Sequence, residues 1–452
     1  MSTNANLPAL ARDLAEGRIT SRALVDECLA RIADTEGEGS RTFVSVDADG
    51  ARKAADAQDV LRKAGAAPSP LAGIPVAIKD LADIAGQITT AGSTALADRP
   101  PATADAPVIA RMRAAGLVII GRANMVEFAY SGIGANPHYG TPAAPWDRAN
   151  RHVPGGSSSG SAAAVAYGFA HGALGTDTGG SCRIPAAYCG VTGLKPTARR
   201  VPADNVVPLS TSLDSIGPIA RSVDCCAMLD GIMAGEPIVA AKAVPLSGLR
   251  LLVPTNVFLD DLDPTVAKDF EATLAALSAA GAHVNKAHFK PLDLIRPVLN
   301  KGGLSGAESY AWHKELIAAK SNEYDPRVAA RILMGEKQSA ADYIALLDAR
   351  RAAITSYASA LSDIDAVIAP TCPILPPREA DLTDDKDYTR LNMASLRNTL
   401  TINIFDGCSI ALPMSAPDAP PTSLMVSGAT MADRRILGIA KSIEAVIPSR
   451  NT

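Results

Sequence analysis

The chain is poor in aromatic residues and lacks the cysteine patterns of metal sites and disulfide scaffolds. Aromatic residues make up 4% of its 452 residues, so the core must be built from Ala, Val, Leu and Ile. The seven cysteines are odd in number and include no C-x-x-C pair, which argues against a zinc site or a disulfide framework. We therefore expect no metal, and buried thiols in a reducing, cytoplasmic compartment.

Charge and hydropathy exclude two classes of partner. Lysine and arginine number 43 against 47 aspartates and glutamates, a formal net charge of −4, and no basic cluster exceeds a pair of arginines. Nucleic acid is therefore not expected as a partner. No run of 18 apolar residues exists to cross a membrane. The first residues lack a basic segment followed by an apolar one, so no signal peptide is expected.

Helical and strand patterns alternate along the first half of the chain. Apolar residues recur at helical spacing over 7–35, where Thr20 and Ser21 are placed to cap a second helix. Residues 49–65 predict another helix. The run LAGIPVAIKD then predicts a short buried strand that ends in Lys79. A further helix and strand follow, at 106–116 and 117–124.

The alternation continues after Pro218, which predicts an α/β architecture built around a central sheet. Helices are predicted over 222–234 and 432–447, and a strand within 245–258. A helix-rich, more charged segment occupies 300–360. No linker is long enough to divide the chain into independent domains.

Residues 154–196 are unlike ordinary core sequence. They contain two glycine-flanked serine clusters, GGSSSGS and DTGGS, around a stretch of small residues at 161–175 that we predict to be helical. Glycine in such numbers marks backbone that turns sharply or approaches a ligand closely. The stretch is therefore the first candidate for a functional site.

Two general interpretations of this stretch are open. A glycine-rich loop that begins a helix can bind phosphate, but neither a G-K-[ST] ending nor a G-x-G-x-x-G motif is present. Ser158 formally satisfies the G-x-S-x-G nucleophile elbow, which requires a preceding strand and a downstream acid and histidine. The residues before it, DRANRHVP, are typical of a loop.

A third interpretation joins Lys79 to both serine clusters, and here the chain resembles the amidase signature family. The resemblance covers most of the chain and rests on three motifs in order: GIPVAIKD at 73–80, GGSSSGS at 155–161, and GTDTGGSCRIPA at 175–186, continued by CGVTGLKPT at 189–197. It implies a single large α/β/α domain with a central mixed sheet and helices on both faces. Within it we expect N-terminal helices at about 1–65, a catalytic core at about 66–235, a variable substrate-side region at about 236–360 and a return to the core at about 361–452.

The resemblance implies a Ser-Ser-Lys triad that hydrolyses amides through an acyl-enzyme. Ser181 would be the nucleophile, Ser157 a bridging serine held by a cis peptide bond, and Lys79 the general base. Physical chemistry is consistent with these roles, because a serine hydroxyl must lose its proton to attack and a lysine can accept it only when neutral. Burial in the apolar segment PVAIK would lower the pKa of Lys79 as required.

The same resemblance implies the rest of the site. The backbone N–H groups of Thr178, Gly179, Gly180 and Ser181 would form an oxyanion hole, where each donor is typically worth roughly 3 kcal/mol. Ala129, Tyr130 and Ser131 would line the substrate cavity. Arg183 has two interpretations, orienting a substrate carboxylate or fixing its loop through Asp177.

The expected partner is a small-molecule amide, urea or carbamate, with no metal or organic cofactor, and a homodimer is the family-level expectation. The amidase subunit of glutamine-dependent tRNA amidotransferases shares all three motifs and is the alternative. Those subunits usually place an asparagine after the aspartate that follows the lysine, where this chain has Leu81. The segment PTSLMVSGATMADRRIL also departs from their P-x-G-x-Q pattern, and both differences favour a free-standing amidase. A non-catalytic scaffold on the same fold is the alternative from another class.

Overall fold

The computed structural model of the chain describes residues 6–447. Its eleven strands, labelled in chain order, are β1 Phe43–Val46, β2 Pro75–Lys79, β3 Val118–Ala123, β4 Gly172–Asp177, β5 Thr192–Lys195, β6 Ser215–Ala220, β7 Arg250–Pro254, β8 His283–Ala287, β9 Ala366–Pro370, β10 Cys408–Pro413 and β11 Ser423–Gly428. The α-helices are α1 Leu7–Ala15, α2 Ser21–Ile32, α3 Gly39–Thr42, α4 Ala48–Lys63, α5 Pro107–Ala114, α6 Ser159–Ala166, α7 Arg183–Cys189, α8 Val223–Ala234, α9 Pro264–Ala279, α10 Ile295–Val298, α11 Gly303–Lys320, α12 Pro326–Leu333, α13 Ala340–Ala360, α14 Asp385–Ile404 and α15 Asp433–Glu444. Short 3-10 helices lie at Thr94–Leu96, Glu127–Ala129, Arg148–Asn150, Lys290–Leu294, Asn300–Gly302, Ser321–Glu323, Met334–Lys337 and Glu379–Leu382.

All eleven strands join one mixed sheet, which confirms the expected fold class. The strand order is β1-β3-β2-β4-β6-β5-β10-β11-β9-β7-β8. Strand β2 pairs in parallel with β3 and β4, and β7 in parallel with β8 and β9. The pairs from β4 through β6, β5, β10 and β11 to β9 are antiparallel. The sheet is therefore continuous across all parts of the chain.

Alternating side chains of the central strands pack into cores on opposite faces of the sheet, as the two-residue period of a strand requires. Val76, Ile78 and Leu174 belong to one core, which also takes apolar residues of α1, α5, α8, α9 and α15. Ala77 and Ala173 belong to the other, which takes residues of α2, α4, α6 and α7. Helices therefore cover both faces, and strands buried on both sides consist of nearly continuous apolar residues.

Several local predictions are confirmed. The strand predicted before Lys79 is β2, and all five of its residues are buried. The helix pair within 7–35 is α1 and α2, and the Thr20 hydroxyl accepts the Ala23 N–H at 3.1 Å as an N-cap. The helix-rich segment 300–360 contains α11, α12 and α13.

The prediction of one helix over 161–175 is wrong in its second half. Helix α6 ends at Ala166, Gly168 adopts a φ of +70° that is compatible with a turn, and Gly172 begins strand β4. Small apolar residues fit a tightly packed helix and a strand buried on both faces equally well, so the pattern could not place the boundary.

No helix within residues 6–447 combines the length and the hydropathy that crossing a membrane would need. The expectation of a homodimer stays a prediction.

Gly160, in the first turn of α6, should be indispensable for packing. A Cβ there would lie 2.4 Å from the Thr42 carbonyl oxygen and 2.5 Å from the Asn124 nitrogen, both backbone atoms. Although alanine is the better helix former, we expect Gly160→Ala to lower the free energy of unfolding by about 1–3 kcal/mol, measured by urea denaturation.

A matched control is Gly306→Ala in α11, where the nearest atom to a new Cβ is the end of the Gln338 side chain at 3.0 Å. A flexible side chain can move aside, so this variant should change stability by less than about 1 kcal/mol. Equal effects of the two variants would contradict the steric account.

Candidate active site

The sheet register brings Lys79 beside the second serine motif. Strands β2 and β4 run in parallel, with Ile78 opposite Leu174. Because parallel strands end at the same edge of a sheet, the last residue of β2 lies next to the last residues of β4. The Lys79 side chain accordingly reaches Thr176, with 2.7 Å between Nζ and Oγ1.

Lys79 is fully buried and contacts two hydroxyl groups. Its Nζ lies 2.7 Å from Ser157 Oγ and 2.7 Å from Thr176 Oγ1. Loss of hydration lowers the pKa of Lys79 from 10.5 to about 7, although the electrostatic effects of Cys182, Asp214 and Asp177 act in the opposite direction. The amine is therefore poised to be neutral near physiological pH.

Ser157 is held by a loop whose backbone packs directly on neighbouring backbone. The Gly156–Ser157 peptide bond is cis, as the family resemblance implied. A Cβ on Gly156 would lie 2.7 Å from the Gly134 nitrogen, so the approach requires glycine. The Ser157 carbonyl accepts the Val126 N–H at 3.0 Å, which ties the loop to the segment after β3.

The loop from Asp177 to Ser181 is organised by one carboxylate. Asp177 Oδ1 accepts the Gly180 N–H at 2.8 Å, and Oδ2 accepts the Cys182 N–H at 3.1 Å. The Gly180 N–H therefore already has a partner in Asp177, although it was expected to be one of the oxyanion donors. Within the described part of the chain, the N–H groups of Thr178, Gly179 and Ser181 have no hydrogen-bond partner.

Ser181 faces a large cavity. The cavity measures about 1090 Å³, and Thr178, Gly179 and Ser181 line it while Gly180 does not. Across residues 6–447, the Ser181 hydroxyl makes no hydrogen bond to Ser157 or to any other side chain. The hydroxyl and three unpaired N–H groups thus meet at one wall of the cavity.

Ala129, Tyr130 and Ser131, in the segment that follows β3, also line this cavity. The rest of its wall comes from far along the chain, including residues between 298 and 334 and the apolar side chains of α14. The residues between 298 and 334 lie in the segment expected to vary with substrate, whereas α14 lies in the expected return to the core.

Arg183 does not line the cavity. It is completely buried, and its guanidinium binds Asp177 at 2.9 and 3.0 Å and the Asn403 side-chain oxygen at 2.6 Å. Burial would raise the pKa of Asp177, but Arg183, Lys195 and Asn403 hold it at about 2. Of the two expected interpretations, the geometry matches the one in which Arg183 fixes the loop.

Ser158 does not have the surroundings of a nucleophile elbow. No strand precedes it, its side chain is buried, and Oγ donates to the Thr176 carbonyl at 3.2 Å. The glycine-rich loop around it is buried throughout. It lines neither the cavity beside Ser181 nor a second cavity near residues 198–216, so it offers no open site for phosphate.

Sequence reasoning missed the contacts of two residues. Thr176 belongs to the third motif, but its contact with Lys79 was not expected, and the parallel register of β2 and β4 was the signal that could have located it. Asp214 accepts a hydrogen bond from the Thr178 hydroxyl, and burial raises its pKa to about 6. Asp214 carried no recognisable motif, because its contact depends on the pairing of β4 with β6.

One protein family matches the chain over almost its whole length. The Amidase family profile covers residues 23–437. The chain belongs to the amidase signature family. It is accordingly an amidohydrolase, an enzyme that acts on C–N bonds.

Relatives of this amidase have diverse names. A 2-amino-5-chloromuconic acid deaminase from Comamonas testosteroni is 37% identical, covering 95% of this chain and 93% of the relative. An A subunit of glutamyl-tRNA(Gln) amidotransferase from Roseiflexus castenholzii is 35% identical, covering 96% and 94%. Among solved structures, an amidase superposes with a TM-score of 0.88 at 30% identity, covering 98% of this chain and 100% of that one. A peptide amidase superposes with a TM-score of 0.80 at 27% identity, covering 98% and 97%.

Within residues 6–447 of this amidase, no group of three or more His, Cys, Asp or Glu side chains is arranged to hold a metal ion.

The buried Asp177–Arg183 pair should be essential for stability. We expect Arg183→Met to lower the free energy of unfolding by about 3–5 kcal/mol, because it leaves a buried carboxylate without its counter-ion. Urea denaturation measures this loss.

Arg199→Met is the matched control, since Arg199 is 63% exposed where it pairs with Asp406. Its loss should cost less than about 1 kcal/mol. Normal stability of Arg183→Met together with a raised KM would instead assign Arg183 to substrate binding.

Proposed function

We propose that this enzyme hydrolyses the C–N bond of a small-molecule carboxamide, or of a related urea or carbamate, through an acyl-enzyme on Ser181. One observation carries the proposal. A fully buried lysine with a pKa of about 7 contacts Ser157, and the Ser181 hydroxyl with unpaired N–H groups lines the adjoining cavity.

In the proposed reaction, Ser181 Oγ forms a bond to the substrate carbonyl carbon while its proton passes to Ser157 Oγ. The Ser157 proton passes at the same time to the neutral amine of Lys79. When the tetrahedral intermediate collapses, the C–N bond breaks and the proton returns through Ser157 to the leaving nitrogen. Water then attacks the ester, and the same relay releases the acid and restores Ser181.

The negative charge that develops on the carbonyl oxygen would be stabilised by backbone donors. Thr178, Gly179 and Ser181 support this role, because their N–H groups have no partner within residues 6–447 and all three residues line the cavity. Gly180 would contribute indirectly, since its hydrogen bond to Asp177 fixes the curvature of the loop.

A second candidate is the amidase subunit of a glutamine-dependent tRNA amidotransferase, supported by relatives with that name at 31–35% identity. Leu81 and the C-terminal segment favour a free-standing enzyme. Purification from the native source followed by size-exclusion chromatography tests this. Co-elution with partner subunits, with glutaminase activity only in the complex, would support the second candidate.

Ser181→Ala tests the nucleophile. We expect turnover to fall by about three orders of magnitude or more, measured as ammonia release across aliphatic, aryl and urea-type amides. Because one relative is named a deaminase, the panel includes amino-substituted unsaturated acids.

Ser159→Ala is the matched control. Ser159 is buried and its hydroxyl has no hydrogen-bond partner in the described region, so this variant should keep its activity. Near wild-type turnover by Ser181→Ala, with the fold intact by circular dichroism, would overturn the proposal.

The pH profile tests the base. Protonated Lys79 cannot accept a proton, so kcat/KM should rise tenfold per pH unit below about 7 and level off above it. A profile that is flat between about pH 5 and 9 would contradict a lysine base.

Asp214 also titrates in this range, since its pKa is raised to about 6. The profile of Asp214→Asn separates the two groups. If the acidic limb disappears in this variant, Asp214 rather than Lys79 controls it.

A further inference from the structure

Arg331 presents an unpaired positive charge to the active-site cavity. It lies on α12, is partly buried and lines the cavity. Its Nη1 donates to the Tyr130 carbonyl at 2.6 Å, and its guanidinium carbon lies 4.7 Å from the centre of the Tyr130 ring. Over residues 6–447, no carboxylate oxygen lies within 4.0 Å of the Arg331 guanidinium nitrogens, so Arg331 forms no ion pair there.

The other cation of the cavity wall is paired, which makes Arg331 distinctive. Arg327 contacts Asp385 at 2.7 Å. Of the remaining wall carboxylates, Glu379 pairs with Arg151 at 2.6 Å, and Asp325 accepts the Arg327 N–H at 2.9 Å as the cap of α12. Asp325 has no cationic partner within residues 6–447 but caps the start of α12, and Arg331 is the cation of the wall that lacks a carboxylate partner there.

Asn392 on α14 adds unused hydrogen-bond donors to the same wall. Its Oδ1 accepts the Ser131 hydroxyl at 3.0 Å and the Gly132 N–H at 2.8 Å, and the Ser131 oxygen in turn accepts from Tyr388 at 2.7 Å. These bonds set the amide orientation, because the oxygen is the atom that accepts. The Nδ2 group has no partner among the residues described, although Asn392 is only 3% exposed.

The two donors are held by adjacent residues of one segment. Tyr130 positions Arg331 through its carbonyl, and Ser131 positions Asn392 through its hydroxyl. Because Nη1 of Arg331 is occupied, the edge formed by Nε and Nη2 remains, and this edge can bind both oxygens of a carboxylate. Arg331 and Asn392 thus offer neighbouring donors that have no partner among the residues described, and donors in this arrangement suit an anionic group.

We propose that Arg331 and Asn392 bind a carboxylate of the substrate, so that the substrate is a small acid whose scissile C–N bond lies at a distance from that carboxylate. The proposal rests on the proposed function, because it takes the cavity beside Ser181 as the substrate site. It specifies the class of molecule that the cavity selects.

Matched substrates test the subsite. The monoamides of succinic, glutaric and adipic acid carry one carboxylate, and the corresponding diamides are neutral molecules of nearly the same shape. We expect the wild-type enzyme to favour at least one monoamide over its diamide by about tenfold or more in kcat/KM. Arg331→Met should lower this ratio by a similar factor, mostly through KM, and Arg331→Lys should recover part of it.

Arg327→Met is the control. It removes the other cation of the wall, which is already paired with Asp385, so the monoamide preference should remain. An equal loss of preference in Arg327→Met and Arg331→Met would overturn the proposal, because it would show a general effect of charge instead of a specific contact.

A binding measurement separates this proposal from the reaction mechanism. The Ser181→Ala protein is titrated calorimetrically with the same monoamides and diamides, with and without Arg331→Met. Tighter binding of a monoamide that depends on Arg331 supports the subsite even if the wild-type enzyme fails to hydrolyse these amides. Equal binding of acids and diamides, or no binding of any acid, overturns it.

Discussion

The burial of a single amine at the edge between β2 and β4 is the constraint on which the site depends. An ammonium group at this position would lose its hydration, so Lys79 has a pKa of about 7. Its two neighbours are hydroxyls of Ser157 and Thr176, which offer hydrogen bonds without an opposite charge. A carboxylate in either position would have kept the lysine protonated and unable to act as a base.

Close backbone packing and one buried ion pair hold the two serine loops against this lysine. Gly156 allows the first loop to approach the backbone at 131–134, and Gly155 allows it to pack on Ile184 and Pro185 of α7. In the second loop, Asp177 accepts two N–H groups and is neutralised by Arg183. The ion pair thus stabilises a loop in which the N–H groups of Thr178, Gly179 and Ser181 have no partner within residues 6–447. Rigid positioning of this kind is what electrostatic catalysis requires.

The opposite wall of the cavity is built from other parts of the chain. It comes from α12 and α14, far beyond the serine motifs in the chain, and its polar groups are attached to the 129–131 segment. This wall meets the serine loops at that segment and also along α14, where Thr399 donates to the Gly179 carbonyl at 2.7 Å and Asn403 accepts from Arg183 at 2.6 Å.

The motifs around Lys79, Ser157 and Ser181 were legible in the sequence, because glycine-serine clusters and a lysine at the end of an apolar strand are unusual in ordinary core. The α/β architecture was also predictable from the alternation of helical and strand patterns. The contacts of Thr176 with Lys79 and of Asp214 with Thr178 were not predictable, since they follow from strand register. The hydrogen bond from the Gly180 N–H to Asp177 was not predicted either. The unpaired charge of Arg331 could not be read from its neighbours in sequence, because whether a guanidinium has a counter-ion depends on residues that only folding brings within a few ångströms.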